Sequence, residues 1–209
     1  MAVLARRTTK KATSRGRPPR PAQRERLETH ERREQLLTVA MSLFLERPYD
    51  QVSMDDLAAR AGVSKGLVFH YFGSKRELYV ELVRRGADDL LSATDTPEEM
   101  PPLERLHAGL LAYLRYVEEN AAAFAGLFTN GMGVDPEITE VVDRTRRALA
   151  ERILTSMPTQ VGPHAGVAAR GFIGFVEATT LAWLPARKES RDELIALFVR
   201  VLGTALAPT

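Results

Sequence analysis

From about His30 the chain sorts its apolar and charged positions at a helical period. Leu36, Leu37, Ala40, Leu43 and Phe44 share one face with charged residues opposite, which predicts a first helix ended by Pro48. A second helix opens at Ser53, a good N-cap followed by Asp55 and Asp56, and closes at Gly62. Ser64 caps a third, short helix that runs to about Tyr71. Gly73 breaks the chain. Ser74 with Glu77 then predicts a capping box for a longer fourth helix, striped by Leu78, Leu82, Val83, Leu90 and Leu91. The segment TDTPEEMPP at residues 94–102 reads as a linker. Beyond it the pattern predicts helices at about 103–119, 121–130, 135–156, 164–184 and 190–206. Pro136 suits a first turn, and Pro158, Pro163 and Pro185 mark breaks. No strand alternation or internal repeat is present, so the predicted class is all-α with about nine helices.

Residues 53–75, SMDDLAARAGVSKGLVFHYFGSK, describe two short helices joined by a tight turn. Ala58 is small enough to let the second helix approach. Gly62 takes the left-handed conformation that a helix end often requires. Leu57, Val63, Val68 and Phe72 can close a small core behind the exposed face, and Phe69 is read as core with Phe72. The arrangement can present the third helix to the DNA major groove. The outward candidates are Lys65, Gly66, Leu67 and His70. Lysine reaches phosphate or a guanine edge, glycine permits close backbone approach, leucine can touch a thymine methyl, and histidine can donate. Tyr71 and Lys75, near the next helix start, suit a phosphate, as do Ser53 and Ser64 at their helix N-termini. Any one such residue alone is an ordinary surface group; their grouping in one turn-helix unit carries the reading.

Charge strengthens it. The net charge is only +2, but residues 1–24 hold eight basic residues and no acid, leaving the other 185 residues at −6. A basic arm on an acidic body fits a nucleic-acid partner. Residues 1–28 read as a disordered basic arm, 29–89 as the DNA-binding domain and 90–209 as a helical effector-binding and dimerisation domain. Within the arm, SRGRPPR at residues 14–20 offers Arg15 and Arg17 to a narrow minor groove; the plainer reading is nonspecific phosphate attraction.

The chain has no cysteine, which excludes disulfides, zinc–thiolate sites and a cysteine nucleophile. It shows no nucleophile elbow, metal-ligand spacing or phosphate loop, so neither an enzyme nor a metal or cofactor is expected. No apolar run approaches bilayer length and no leader is read, which leads to the expectation of a cytoplasmic, nucleoid-associated protein with no membrane partner.

The segment from about Glu31 to Ala87, through REQLLTVAMSLFLERPYDQVSMDDLAARAGVSKGLVFHYFGSKRELYVELV, resembles the DNA-binding domain of the TetR family of transcriptional regulators. The resemblance implies an all-helical homodimer with a three-helix DNA-binding domain and a larger C-terminal ligand and dimer domain. It also implies repression relieved by a small molecule. Lys65, Gly66 and Lys75 match the family's pattern. The family often has Thr where Leu67 stands, Tyr where Phe69 stands and His where Tyr71 stands, so the resemblance leaves operator identity open.

The C-terminal half offers apolar and aromatic residues with a few polar ones, the composition of an apolar effector pocket. The candidates are His107, Tyr113, Phe124, Phe128, Phe172, Glu177 and Trp183, with Tyr116 and Asn130 as further polar groups. Glu177 stands out as an acid in an apolar stretch. Gly171, Gly174 and Ala178, with Phe175, Leu197 and Val201, predict a close helix crossing and a two-fold four-helix dimer interface. Two recognition helices about 34–36 Å apart then read a palindromic operator on double-stranded DNA. The alternative is a nonspecific or architectural DNA binder that uses its basic arm.

Overall fold

The computed structural model describes residues 21–127, 135–157 and 162–207, with side chains from Thr29 onward. Among the described residues there are nine α-helices and no strand. They are α1 (Pro21–Glu46), α2 (Met54–Ala61), α3 (Lys65–Phe72), α4 (Lys75–Ala93), α5 (Pro102–Glu119), α6 (Ala121–Gly126), α7 (Pro136–Thr155), α8 (Ala165–Trp183) and α9 (Arg191–Ala205), with one 3-10 turn at Tyr49–Gln51. The all-α expectation holds.

Helix α1 starts at Pro21, earlier than its apolar period. The arm read as disordered to residue 28 is helical from Pro21. Those first residues have no apolar stripe but are mostly strong helix formers, and proline suits a first position. Residues 1–20, with Arg15 and Arg17, lie outside the described residues, as do Phe128, Asn130 and the rest of the predicted 121–130 helix beyond Leu127.

The N-terminal core closes where the apolar pattern places it. Leu36, Leu37, Ala40 and Leu43 of α1 bury against Leu57 and Ala58 of α2, Val68 and Phe72 of α3, and Leu78 and Leu82 of α4. A fully buried side chain of this size contributes about 1.5–3 kcal/mol of transfer free energy. The larger core joins α5, α7, α8 and α9 around Leu114, Val117, Ala169, Phe198 and Leu202. A third cluster, Val80 with Ile138 and Val142, fastens α4 to α7. Thus α4 belongs to both halves. The domain boundary read at 89–90 falls inside it, because the helix runs unbroken to Ala93. The predicted linker is likewise not a spacer at its start. Thr94 is buried and accepts a hydrogen bond from Arg152 Nη1 at 3.2 Å.

Candidate nucleic-acid interface and internal cavity

The turn between α2 and α3 follows from its residues. Ser53 forms a reciprocal capping box with Asp56: the Asp56 N–H donates to Ser53 Oγ at 3.0 Å, and the Ser53 N–H donates to Asp56 Oδ2 at 2.9 Å. Gly62 takes φ 67° and ψ 32°, the left-handed conformation that lets α2 stop and α3 turn away. Ser64 then accepts from the Leu67 N–H at 3.2 Å. The capping box expected at Ser74 is only half formed. Ser74 accepts from the Glu77 N–H at 3.1 Å without a reciprocal bond from the Glu77 carboxylate.

On α3 the buried positions are Val68 and Phe72, four residues apart. The opposite side exposes Lys65, Gly66, Phe69 and His70. Phe69, read as core, is instead 39% exposed. It sits about 100° around the helix from Val68 and about 60° from Phe72, at the edge of the face those two bury, and packing leaves it outside. A phenyl ring there is suited to a thymine methyl. Gly66 has open space around its Cα, so a nucleic-acid backbone can approach. Leu67 and Tyr71 are half-buried, and the Tyr71 ring meets the His70 ring edge-on with centroids 5.4 Å apart.

Two cations of this surface are held by the protein itself. Lys65 Nζ donates to Asp55 Oδ2 at 2.9 Å. Lys75, the first residue of α4, packs over the ring of Tyr49. The Ser53 hydroxyl donates to Asp56 Oδ2 at 2.6 Å, so a phosphate approaching it would meet a carboxylate. Ser53 is therefore the least available of the candidate contacts.

A cavity of about 470 Å³ opens between the two halves. Tyr113, Tyr116, Phe124, Phe172 and Glu177 of the expected set line it. His107 does not: it is exposed on α5, because the cavity side of that helix carries Leu106, Leu110 and Tyr113. Trp183 does not either. It is buried in the α8–α9 core, and its indole N–H donates to the Glu189 carbonyl at 2.8 Å. The wall also includes residues that the pattern did not mark, among them Phe44, Pro48 and Tyr49 of the N-terminal half, Tyr79 of α4, and Arg105 and Arg152. Glu177 of the wall is gripped by Arg146 through both Nε and Nη2, at 3.0 and 2.7 Å from Oε2. This bond and the Glu177 charge raise the Arg146 pKa above its ordinary value.

Comparison with known proteins assigns this architecture. Residues 36–82 match the family model for bacterial regulatory proteins of the tetR family, and residues 102–203 match the tetracyclin repressor-like C-terminal domain. The chain is 31% identical to the HTH-type transcriptional activator FasR of Mycolicibacterium smegmatis, across 72% of this chain and 70% of that protein. The chain belongs to the tetR family. It is 26% identical to the transcriptional repressor KstR of Rhodococcus jostii, covering 78% of this chain and 77% of that one. A tetR-family regulator from Streptomyces coelicolor superimposes with a TM-score of 0.76 at 34% identity, over 84% of this chain and 80% of that one.

As a tetR-family member the protein is a DNA-binding transcriptional regulator and not an enzyme. No described helix is long and apolar enough to cross a membrane. The face expected to mediate dimerisation is open in this tetR-family chain. Gly171, Gly174 and Ala178 of α8 are exposed, and Phe175, Leu197 and Val201 are half-buried beside them. A Cβ added at either glycine meets nothing within 4 Å.

Proposed function

We propose that the protein is a homodimeric repressor that leaves a palindromic operator when a small, mainly apolar effector fills the cavity. The observation that carries this reading is the composition of the cavity wall. It draws Phe172, Ile173 and Val176 from α8 and Phe44, Pro48 and Tyr49 from the DNA-binding half. An occupant therefore touches α1 and the 3-10 turn of the DNA-binding half directly, as well as α4, and can favour one spacing of two recognition helices over another. The exposed glycine face of α8, with the apolar stripe of α9, supports pairing of two copies. The proposed DNA surface is Lys65, Gly66, Phe69 and His70 on α3, with Ser64, Leu67, Tyr71 and Lys75 at its margins. Relatives carry both signs of regulation, one named an activator and another a repressor.

The test is binding of the purified protein to fragmented genomic DNA, followed by footprinting. Two protected half-sites about one helical turn apart support the reading. Uniform protection that follows DNA length alone would leave the architectural binder instead.

A further inference from the structure

The charges of the cavity wall are unevenly paired, and this bears on what enters it. Glu46, Asp95 and Glu177 line it together with Arg47, Arg105 and Arg152. Two of these acids are held by arginines from outside the wall. Arg60 donates to both oxygens of Glu46, at 2.6 and 2.7 Å, and Arg146 holds Glu177. Arg47 lies 3.6 Å from Asp56. The third acid, Asp95, is exposed and 3.9 Å from Arg152. Arg105 is the charge left over. Among the described residues its guanidinium makes no ion pair and donates no hydrogen bond, and its Nε is enclosed without an acceptor. With the other wall charges paired, the cavity presents one uncompensated cation, which attracts an anion.

The position of Arg105 gives the occupant a direction. It stands in the first turn of α5, where the helix dipole adds positive potential. Glu104, the acid of that turn, is exposed and outside the wall. Leu106, Gly109, Leu110 and Tyr113 carry the same side of α5 onward along the cavity. Gly109, one turn after Arg105, lies beside Thr94: a Cβ built on it would stand 3.9 Å from the Thr94 carbonyl oxygen. Thr94 accepts from Arg152 Nη1, which also donates to the Leu91 carbonyl at 2.6 Å, so both arginines border one end of the cavity. From α8 the cavity receives mainly hydrocarbon, from Phe172, Ile173 and Val176. An occupant therefore finds positive charge at one end and mostly apolar wall beyond it.

We infer that the effector is an anionic amphiphile, a mainly apolar molecule whose carboxylate or phosphate group is held by Arg105 with Arg152 beside it. The inference rests on the cavity being an effector site, and it adds the chemical class and the residue that reads it.

The test is calorimetric titration of the full-length protein at neutral pH with dodecanoate, dodecyl phosphate, dodecanol and dodecyltrimethylammonium, all below micelle-forming concentrations. At least one anion is expected to bind about tenfold more tightly than dodecanol, and the cation most weakly. The tighter anion then names the head group. Arg105→Gln should weaken that anion about tenfold and leave dodecanol unchanged, and Arg105→Lys should restore part of the loss. Neither substitution should move the melting temperature of the empty protein, because the guanidinium holds nothing in the fold. Dodecanol binding as tightly as both anions would overturn the inference and leave the effector-site reading standing. Anion affinity that is unchanged in the Gln variant, or that falls together with that of dodecanol, would overturn the role of Arg105. Binding of none of the four probes would count against both the inference and the effector-site reading.

Discussion

The Lys75 ammonium lies 4.1 Å from the centre of the Tyr49 ring. Tyr49 is in turn part of an aromatic cluster, its centroid 4.9 Å from Tyr79 and 5.9 Å from Phe44, and all three rings line the cavity. A cation proposed to meet a DNA phosphate thus rests on the cavity wall. Replacing Lys75 with Met should lower the slope of log affinity against log salt by about one, because one phosphate contact is lost. Tyr49→Leu should weaken operator binding while keeping that slope, since the charge stays and only its placement loosens. Fluorescence anisotropy across a salt series measures both. An identical slope in wild type and the Lys75 variant would remove this lysine from the interface.

Phe69 is expected to choose bases rather than to add general affinity. Phe69→Ala should reduce discrimination at one operator position by about 1 kcal/mol and leave nonspecific binding intact. Selection from a random DNA pool with both proteins reads this as one relaxed position in the consensus. Uniform weakening across all sequences would assign the ring to the fold or the backbone instead.

How much of this was legible in the sequence depended on distance along the chain. Ser53, Gly62, Ser64 and Val68 act within a few residues of themselves, so cap, turn and plug could be read directly. Phe69 could not be sorted from Phe72 by hydrophobicity alone. The two lie three residues apart, about 60° around the helix, so which ring is buried is decided by how α3 packs against α2 and α4. His107 and Trp183 are suitable pocket residues by type, but which side of α5 or α8 meets the void is decided by packing among several helices. The contribution of Phe44 and Tyr49 to the cavity had no local signal, because it arises from how α1 meets α4 and α6.

The α8 face gives a third prediction. Gly174 is exposed, and a side chain added there would meet nothing within 4 Å of its Cβ, so Gly174→Arg should fold normally as a single chain. It should sediment as a monomer and lose tight operator binding, because one recognition helix reads one half-site. Retained dimer mass in light scattering would place the interface elsewhere.

The fourth concerns acid. Arg76 donates to Asp135 through Nε at 2.6 Å and Nη2 at 2.8 Å, joining the start of α4 to the start of α7. Those hydrogen bonds hold the Asp135 carboxyl below its ordinary value. A depressed carboxylate contributes stability that is fully present above its ordinary pKa and is lost as pH falls through the lowered one. Asp135→Asn keeps the helix cap but removes the charge. It should therefore lower the urea midpoint at neutral pH, with the difference closing as acid protonates the wild-type group. A difference that is constant with pH would mean that the charge is not what stabilises this junction.

The shared wall of the cavity has a consequence that runs in both directions. Phe44, Pro48 and Tyr49 belong at once to the chamber and to the DNA-reading half. Any factor by which an occupant changes affinity for DNA must equal the factor by which DNA changes affinity for the occupant. A promoter carrying this protein would then hold its chamber at a different affinity from protein in solution, so the dose needed for release depends on how many sites the genome offers.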